Sequence, residues 1–232
     1  MKPEHLYSTH RFIRLIRMTA LLLLAGHLAH AEGPSAEDLG KLQVGNLIYG
    51  NDNKSSVCFA DRFVGLTADQ THLVTGEKFF PVKLSSPDLF DMPFCIFSGE
   101  GSFTLTEKER KNLRAYLNSG GFLLASPSCS DKEWHRSFLN ELELCLPEHS
   151  LESIPMTHPI FSMVHKIDRL QDKKGRSVVL QGMTINGRLA VVHSPDGLND
   201  VKNAKGCCCC GGNEIRDPAK INVNIFVYAA VY

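Results

Sequence analysis

The chain of 232 residues carries 25 Lys+Arg against 25 Asp+Glu, is 43% hydrophobic and 22% charged, and contains 8 Cys, 18 Gly and 11 Pro. That balance belongs to an ordinary globular protein and excludes a disordered chain, a collagen and a coiled coil. A formal net charge of zero also argues against a nucleic-acid binder, which needs an excess of Lys and Arg to neutralise phosphates.

The neutrality is an average over two unlike parts. Residues 1–31 have the order of an export signal: Lys2, Arg11, Arg14 and Arg17 make a basic start, residues 18–28 are mostly apolar, and Ala29-His30-Ala31 fits a small-x-small cleavage site. The apolar stretch falls short of the roughly 20 residues that a bilayer-spanning helix requires. The expectation is therefore cleavage near Ala31, a periplasmic or extracellular product, and membrane contact only during export. Without the four bases and one acid of that segment, the remaining chain has a formal charge of −3. Residues 32–41, polar with Gly33 and Pro34, read as a flexible lead. Residues 42–232 read as a single domain.

Residues 42–49 form a short apolar run ended by Gly50-Asn51-Asp52-Asn53, a strand followed by a turn. Ser55 or Ser56 can cap a helix carrying Val57, Ala60, Phe63, Val64 and Leu66. Residues 79–84 suit a second strand, Pro87 and Asp88 turn the chain, and residues 93–98 read as a strand covered on both faces, because Phe94, Cys95, Ile96 and Phe97 are continuously apolar. Thr106 and Glu109 make a capping box for a helix that buries Leu113, Tyr116 and Leu117 and stops at Gly120-Gly121. Residues 122–125 form a buried strand, and Asp131 caps a helix with Trp134, Phe138, Leu139 and Leu142 on one side. The alternation predicts an α/β fold: a mostly parallel sheet with helices on both faces.

Beyond Pro147, residues 178–183 and 188–193 flank Asn186-Gly187, a strong hairpin signal, so the sheet gains an antiparallel part. Residues 194–217 form a long connection rich in Gly, Asn, Asp and Cys. Asp217-Pro218 has the form of an N-cap and first helical residue, which favours a final helix although Ile221, Val223, Ile225 and Val227 alternate as a strand would.

Ligands of an open α/β sheet bind outside the carboxyl ends of its strands. The residues there are 51–56, Ser98-Gly99-Glu100-Gly101-Ser102, Ser126-Pro127-Ser128-Cys129-Ser130, and His193-Ser194-Pro195-Asp196. Ser98, Gly99, Gly101, Ser126 and Asp196 are the ligand-binding candidates, since glycines at a strand end expose backbone N–H groups suited to an anion. Cys129, between a buried strand and a helix start, stands where amides and the helix dipole favour a thiolate; it is either a nucleophile or a structural, disulfide-bonded residue. His193, His158 or His135 is the available base, and Glu100 the orienting group or base. Otherwise Trp134-His135-Arg136 is ordinary packing with a surface ion pair.

A chain of about 200 residues folds without staples, so eight cysteines need another reason. Cys207, Cys208, Cys209 and Cys210 are consecutive, while Cys58, Cys95, Cys129 and Cys145 are scattered. The tetrad matches no standard zinc spacing. Its options are disulfides to the scattered cysteines, a soft transition metal such as zinc with His158 as a further ligand, or thiol redox chemistry.

With these residues laid out, the sequence resembles a family of exported bacterial domains of unknown function within the class I glutamine amidotransferase-like, flavodoxin-like superfamily. The strings that carry the resemblance include Phe94-Cys95-Ile96-Phe97-Ser98-Gly99-Glu100-Gly101-Ser102-Phe103, Gly120-Gly121-Phe122-Leu123-Leu124-Ala125-Ser126-Pro127, His158-Pro159-Ile160-Phe161, and Cys207 to Cys210 with Gly211-Gly212-Asn213-Glu214. The superfamily implies a Cys-His-Glu triad that hydrolyses glutamine. Here no Gly-x-Cys-x-Gly surrounds Cys129 and no His-x-Glu pair occurs late in the chain. The expected role is accordingly a ligand- or metal-binding or interaction module, engaging a ligand or protein partner. The alternative is a Cys- or metal-dependent hydrolase acting at the carboxyl edge of the sheet.

Overall fold

A computed structural model describes residues 40–51, 59, 62–198 and 215–232. The export-signal segment, residues 32–39 of the lead, the proposed Ser55/Ser56 cap and the cysteine tetrad lie outside the described residues.

The chain alternates strand and helix from β1 (Leu42–Ile48) through α1 (Arg62–Gln70), β2 (Thr75–Lys83), β3 (Phe94–Gly99), α2 (Glu107–Asn118), β4 (Phe122–Pro127) and α3 (Lys132–Cys145). It then adds β5 (Glu152–Ser153), β6 (Gln181–Ile185), β7 (Arg188–His193) and the last helix α4 (Pro218–Val231). The seven strands form one sheet in the order β2-β1-β3-β4-β7-β6-β5. Strands β2, β1, β3, β4 and β7 run parallel, and β5 and β6 antiparallel to their neighbours. The expected mostly parallel sheet with an antiparallel part is therefore present.

Period-two alternation in the central strands divides their side chains between two cores. Phe94, Ile96, Phe122 and Leu124 face a cluster with Phe63, Val64, Ile221, Ile225 and Phe226, which places α1 and α4 on one face. Cys95, Phe97, Leu123 and Ala125 face Leu113, Tyr116, Leu117, Trp134, Phe138 and Leu142, which places α2 and α3 on the other. The capping box of α2 is complete, with Thr106 Oγ1 accepting from Glu109 N–H and the Glu109 carboxylate accepting from Thr106 N–H at 2.8 Å. The second oxygen of Glu109 accepts from Gly50 N–H at 2.9 Å, tying the helix start to the end of β1.

Several boundaries differ from the sequence expectation. Strand β2 begins at Thr75 rather than residue 79, because an outermost strand tolerates the exposed Glu77 and Lys78. Strand β6 begins at Gln181, since Val178 N–H is spent on Leu170 C=O. The hairpin turn is as expected, with Asn186 and Gly187 both at positive φ. Asp217 occupies the N-cap position of α4 but makes no side-chain cap hydrogen bond; it sits in the left-handed region at φ 51° ahead of Pro218. Among the described residues no helix is long and apolar enough to cross a membrane.

Candidate functional site

The parallel register sets three strand ends side by side: Ser98 opposite Ser126, Gly99 opposite Pro127, and Ala125 opposite His193. Ser98 is fully buried, and its hydroxyl has no partner among the described residues. Its carbonyl accepts from Tyr49 Oη–H at 3.0 Å, and Tyr49 Oη in turn accepts from Trp134 Nε1–H. Burial pushes the Tyr49 phenol up, so it stays neutral and can donate. Gly99 makes room for this chain, since a Cβ there would stand 2.2 Å from Tyr49 Oη and 2.9 Å from Trp134 Nε1. Its glycine character is thus explained by packing. Ser126 is also fully buried, and its hydroxyl accepts from Leu198 N–H at 2.7 Å, pinning the segment that leaves β7.

His193 ends β7 with no solvent exposure, packed against Phe138 and Trp134. Its Nδ1 lies 3.0 Å from the Ala125 carbonyl, which can only accept, so Nδ1 carries the proton. Burial, reinforced by His135, lowers its pKa to about 3, and the ring is neutral. Nε2 is therefore an acceptor, and it receives the Nδ1–H of His135 at 2.8 Å. Both nitrogens of the expected base are spent on these two partners, and neither is turned on Cys129. The imidazole that reaches the surface is His135, in the first turn of α3, whose helix start is fixed by Asp131 accepting from Trp134 N–H at 2.7 Å.

Between β4 and α3 the chain makes a tight turn in which Cys129 (φ 54°) and Ser130 (φ 55°) are both left-handed. Such conformations cost roughly 1–3 kcal/mol each unless the surroundings hold them. Ser130 Oγ donates to Asp196 C=O at 2.9 Å, which is one such restraint. Cys129 is disulfide-bonded; its Sγ lies 3.8 Å from Glu100 Oε1. An oxidised sulfur has no proton to donate and no lone thiolate to attack with. Of the sequence-predicted catalytic set, the fold brings Cys129 and Glu100 together and withdraws His193 into the core. Gly101 follows at φ 66°, a turn that favours glycine.

Beside this turn a cleft of about 380 Å³ is lined by Ser130, Lys132, His135, Arg136, Arg176, Pro195 and Asp196. Arg176 uses Nε on the buried carboxylate of Asp172 at 2.6 Å, and Arg136 pairs with Glu133. Burial raises the pKa of Asp196, with Arg176 and His135 opposing. Of these residues, Asp196 and, as one of three bases, His135 stood out in the sequence. Lys132, Arg136 and Arg176 did not, because each lies in a locally ordinary charged segment and only the tertiary fold brings the start of α3 and residue 176 to one place.

The scattered cysteines have separate fates. Cys95 and Cys145 are free, buried thiols, which removes them as disulfide partners. Burial pushes both up to about 12, so neither is a reactive thiol. His158 caps the 3₁₀ turn Pro159–Phe161, its Nδ1 accepting from Ile160 N–H at 3.2 Å, and packs on Tyr228. With burial keeping it neutral, the proton sits on Nε2, leaving that nitrogen no lone pair for a metal. Among the described residues no group of three or more His, Cys, Asp or Glu side chains is arranged to hold a metal ion. Cys58, Cys207, Cys208, Cys209 and Cys210 lie outside the described residues.

A family model described as a domain of unknown function, DUF4159, matches residues 43–230, and the chain belongs to that family. No curated protein matches it.

Proposed function

We propose that this member of the DUF4159 family is an exported ligand-binding module that holds a small anionic ligand at the carboxyl edge of its sheet. The observation that carries the reading is the cleft beside β4 and β7, where Lys132, Arg136 and Arg176 stand with His135 and Asp196 at a place open sheets use for ligands. Lys132 makes no ion pair among the described residues, and the terminal nitrogens of Arg176 are not engaged by Asp172. The strand order and the turn after β4 also support placing the domain in the amidotransferase-like superfamily. Export rests on the basic, apolar and small-residue order of residues 1–31. Backbone NMR with added inorganic phosphate or acetate tests the ligand site: signals of residues 130–136, 176 and 195–196 shift, and Arg176→Ala with Lys132→Ala abolishes the shifts. If neither anion moves those signals, the ligand reading falls.

The second reading, a Cys-dependent hydrolase, draws on Cys129 in its left-handed turn 3.8 Å from Glu100. Since Cys129 is disulfide-bonded, this activity requires prior reduction. Ester or amide turnover that appears only after reduction and is lost in Cys129→Ser favours it; absence of turnover in both redox states removes it.

A further inference from the structure

We propose that His135 is the acid–base group of the cleft and that buried His193 is its positioning residue, with a singly protonated oxyanion such as hydrogenphosphate as the class of ligand. This deepens the ligand site proposed above and rests on it.

The argument follows one proton at a time. Ala125 C=O fixes the proton of His193 on Nδ1, and the bare Nε2 of His193 fixes the proton of His135 on Nδ1. The two rings are within 6° of parallel with centroids 5.0 Å apart. That separation is close to the largest that a 2.8 Å nitrogen–nitrogen contact permits, so the nitrogens lie on the line joining the rings. The pair is coplanar and joined edge to edge, which is hydrogen-bond geometry and not stacking. The open polar atom of His135 is then Nε2, a lone pair on a residue lining the cleft.

Adding a proton at Nε2 leaves Nδ1–H of His135 donating to His193 as before. The ring can therefore take up and return a proton without rearranging its support. Groups facing His135 among the described residues are His193 from β7, Asp196 from the following turn, Lys132 and Arg136 from its own helix, and Arg176 across the cleft. Asp196 favours the imidazolium, whereas burial and Arg136 disfavour it. A ligand whose negative oxygens meet Lys132 and Arg176, and whose remaining O–H donates to Nε2, satisfies both halves of the cleft. Fully deprotonated oxyanions lack that donor.

Imidazole ¹⁵N NMR of the full chain tests this. At pH 7 both His193 and His135 show a protonated Nδ1 and a bare Nε2. His135 titrates below the ordinary histidine range, and inorganic phosphate moves its Nε2 signal. His193→Gln, whose amide oxygen still accepts from His135, keeps the tautomer fixed; His193→Leu lets the two nitrogen signals of His135 converge. If His193→Leu does not fold, the wild type and His193→Gln still decide. A protonated Nε2 on His135 at pH 7 in the wild type overturns the proposal, as does a fixed tautomer in folded His193→Leu. A fixed pair that ignores phosphate overturns the ligand reading and the acid–base role together, leaving His193 as a positioning residue only.

Discussion

The two faces of the sheet are built from different materials. On the face of α1 and α4, aromatic rings meet in an almost wholly apolar cluster: Phe63, Phe94 and Phe226 pack edge to face or tilted, and Phe94 stacks on Phe122 at 5.3 Å. Polar groups buried there serve local backbone and loops: Thr67 donates to Phe63 C=O within α1, Asn222 donates to Leu198 C=O, and Asn224 engages residues 164 and 165. On the face of α2 and α3 the core itself is threaded by hydrogen bonds from Trp134 through Tyr49 to Ser98, and from His135 through His193 to Ala125. One face supplies burial. The other spends part of its interior on groups whose polar ends come out at the strand ends, which is why the cleft lies beside α3.

The largest effects should separate these roles. Phe226→Ala and Trp134→Ala each remove a fully buried ring, and each is expected to cost about 3–5 kcal/mol in urea unfolding. Phe226→Ala should leave the His135 tautomer as in the wild type, because the cavity opens on the far side of the sheet. Trp134→Ala should unlock it. Equal disturbance of the tautomer by both would dissolve the distinction between the faces.

Acid should next attack the threaded face. The folded pKa of His193 is about 3, against roughly 6.5 for an ordinary histidine. Between those values the unfolded chain binds a proton that the folded chain refuses, so stability is fully present above the ordinary value and falls as pH drops toward 3. The loss should be on the order of 4 kcal/mol over that window. Burial lowers His135 in the same direction and adds to it. Unfolding free energies measured at pH 7 and pH 4 should show a smaller loss in His193→Gln; an identical loss would move the acid sensitivity elsewhere.

Gly99→Ala probes the same thread more gently. The new methyl would meet Tyr49 Oη and Trp134 Nε1, both held in a packed core, and overpacking of that kind costs about 1–3 kcal/mol. Loss of stability with altered Trp134 fluorescence is expected; a neutral substitution would show that the Tyr49–Trp134 contact yields easily.

How much of this could be read in the sequence depends on how local each cause is. Strands β3 and β4 announce themselves because burial on both faces demands continuous apolar runs, and α2 and α3 because Thr106, Glu109 and Asp131 cap within one turn. Strand β5 was illegible, being Glu152 and Ser153 with both side chains exposed. The site followed the same rule. Glu100, Cys129 and Asp196 follow strands, His193 ends one, and all four are legible from position alone. The exchange of roles between His193 and His135 is not, because it depends on the α3 helix start lying against the end of β7, a contact 58 residues apart in sequence. Likewise Gly99 reads as a ligand-binding glycine until Tyr49 and Trp134 are seen to fill the space beside it.

The smallest effects offer the finest division, within the threaded face itself. Thr106 and Asp131 each satisfy a backbone N–H at a helix start, Thr106 for α2 and Asp131 for α3. Removing a cap of this kind costs about 1 kcal/mol, with a range of roughly 0.5–2, so Thr106→Ala and Asp131→Ala should lower stability by similar amounts. Their consequences at the cleft should differ. Thr106 steadies a helix whose start is tied to Gly50 and β1 through Glu109, while Asp131 steadies the turn that carries Trp134 and His135. Asp131→Ala should therefore broaden or shift the His135 imidazole signals and weaken phosphate binding, and Thr106→Ala should do neither. If the two variants lose stability equally and leave His135 equally untouched, then His193 alone orients His135 and the α3 cap contributes to folding only.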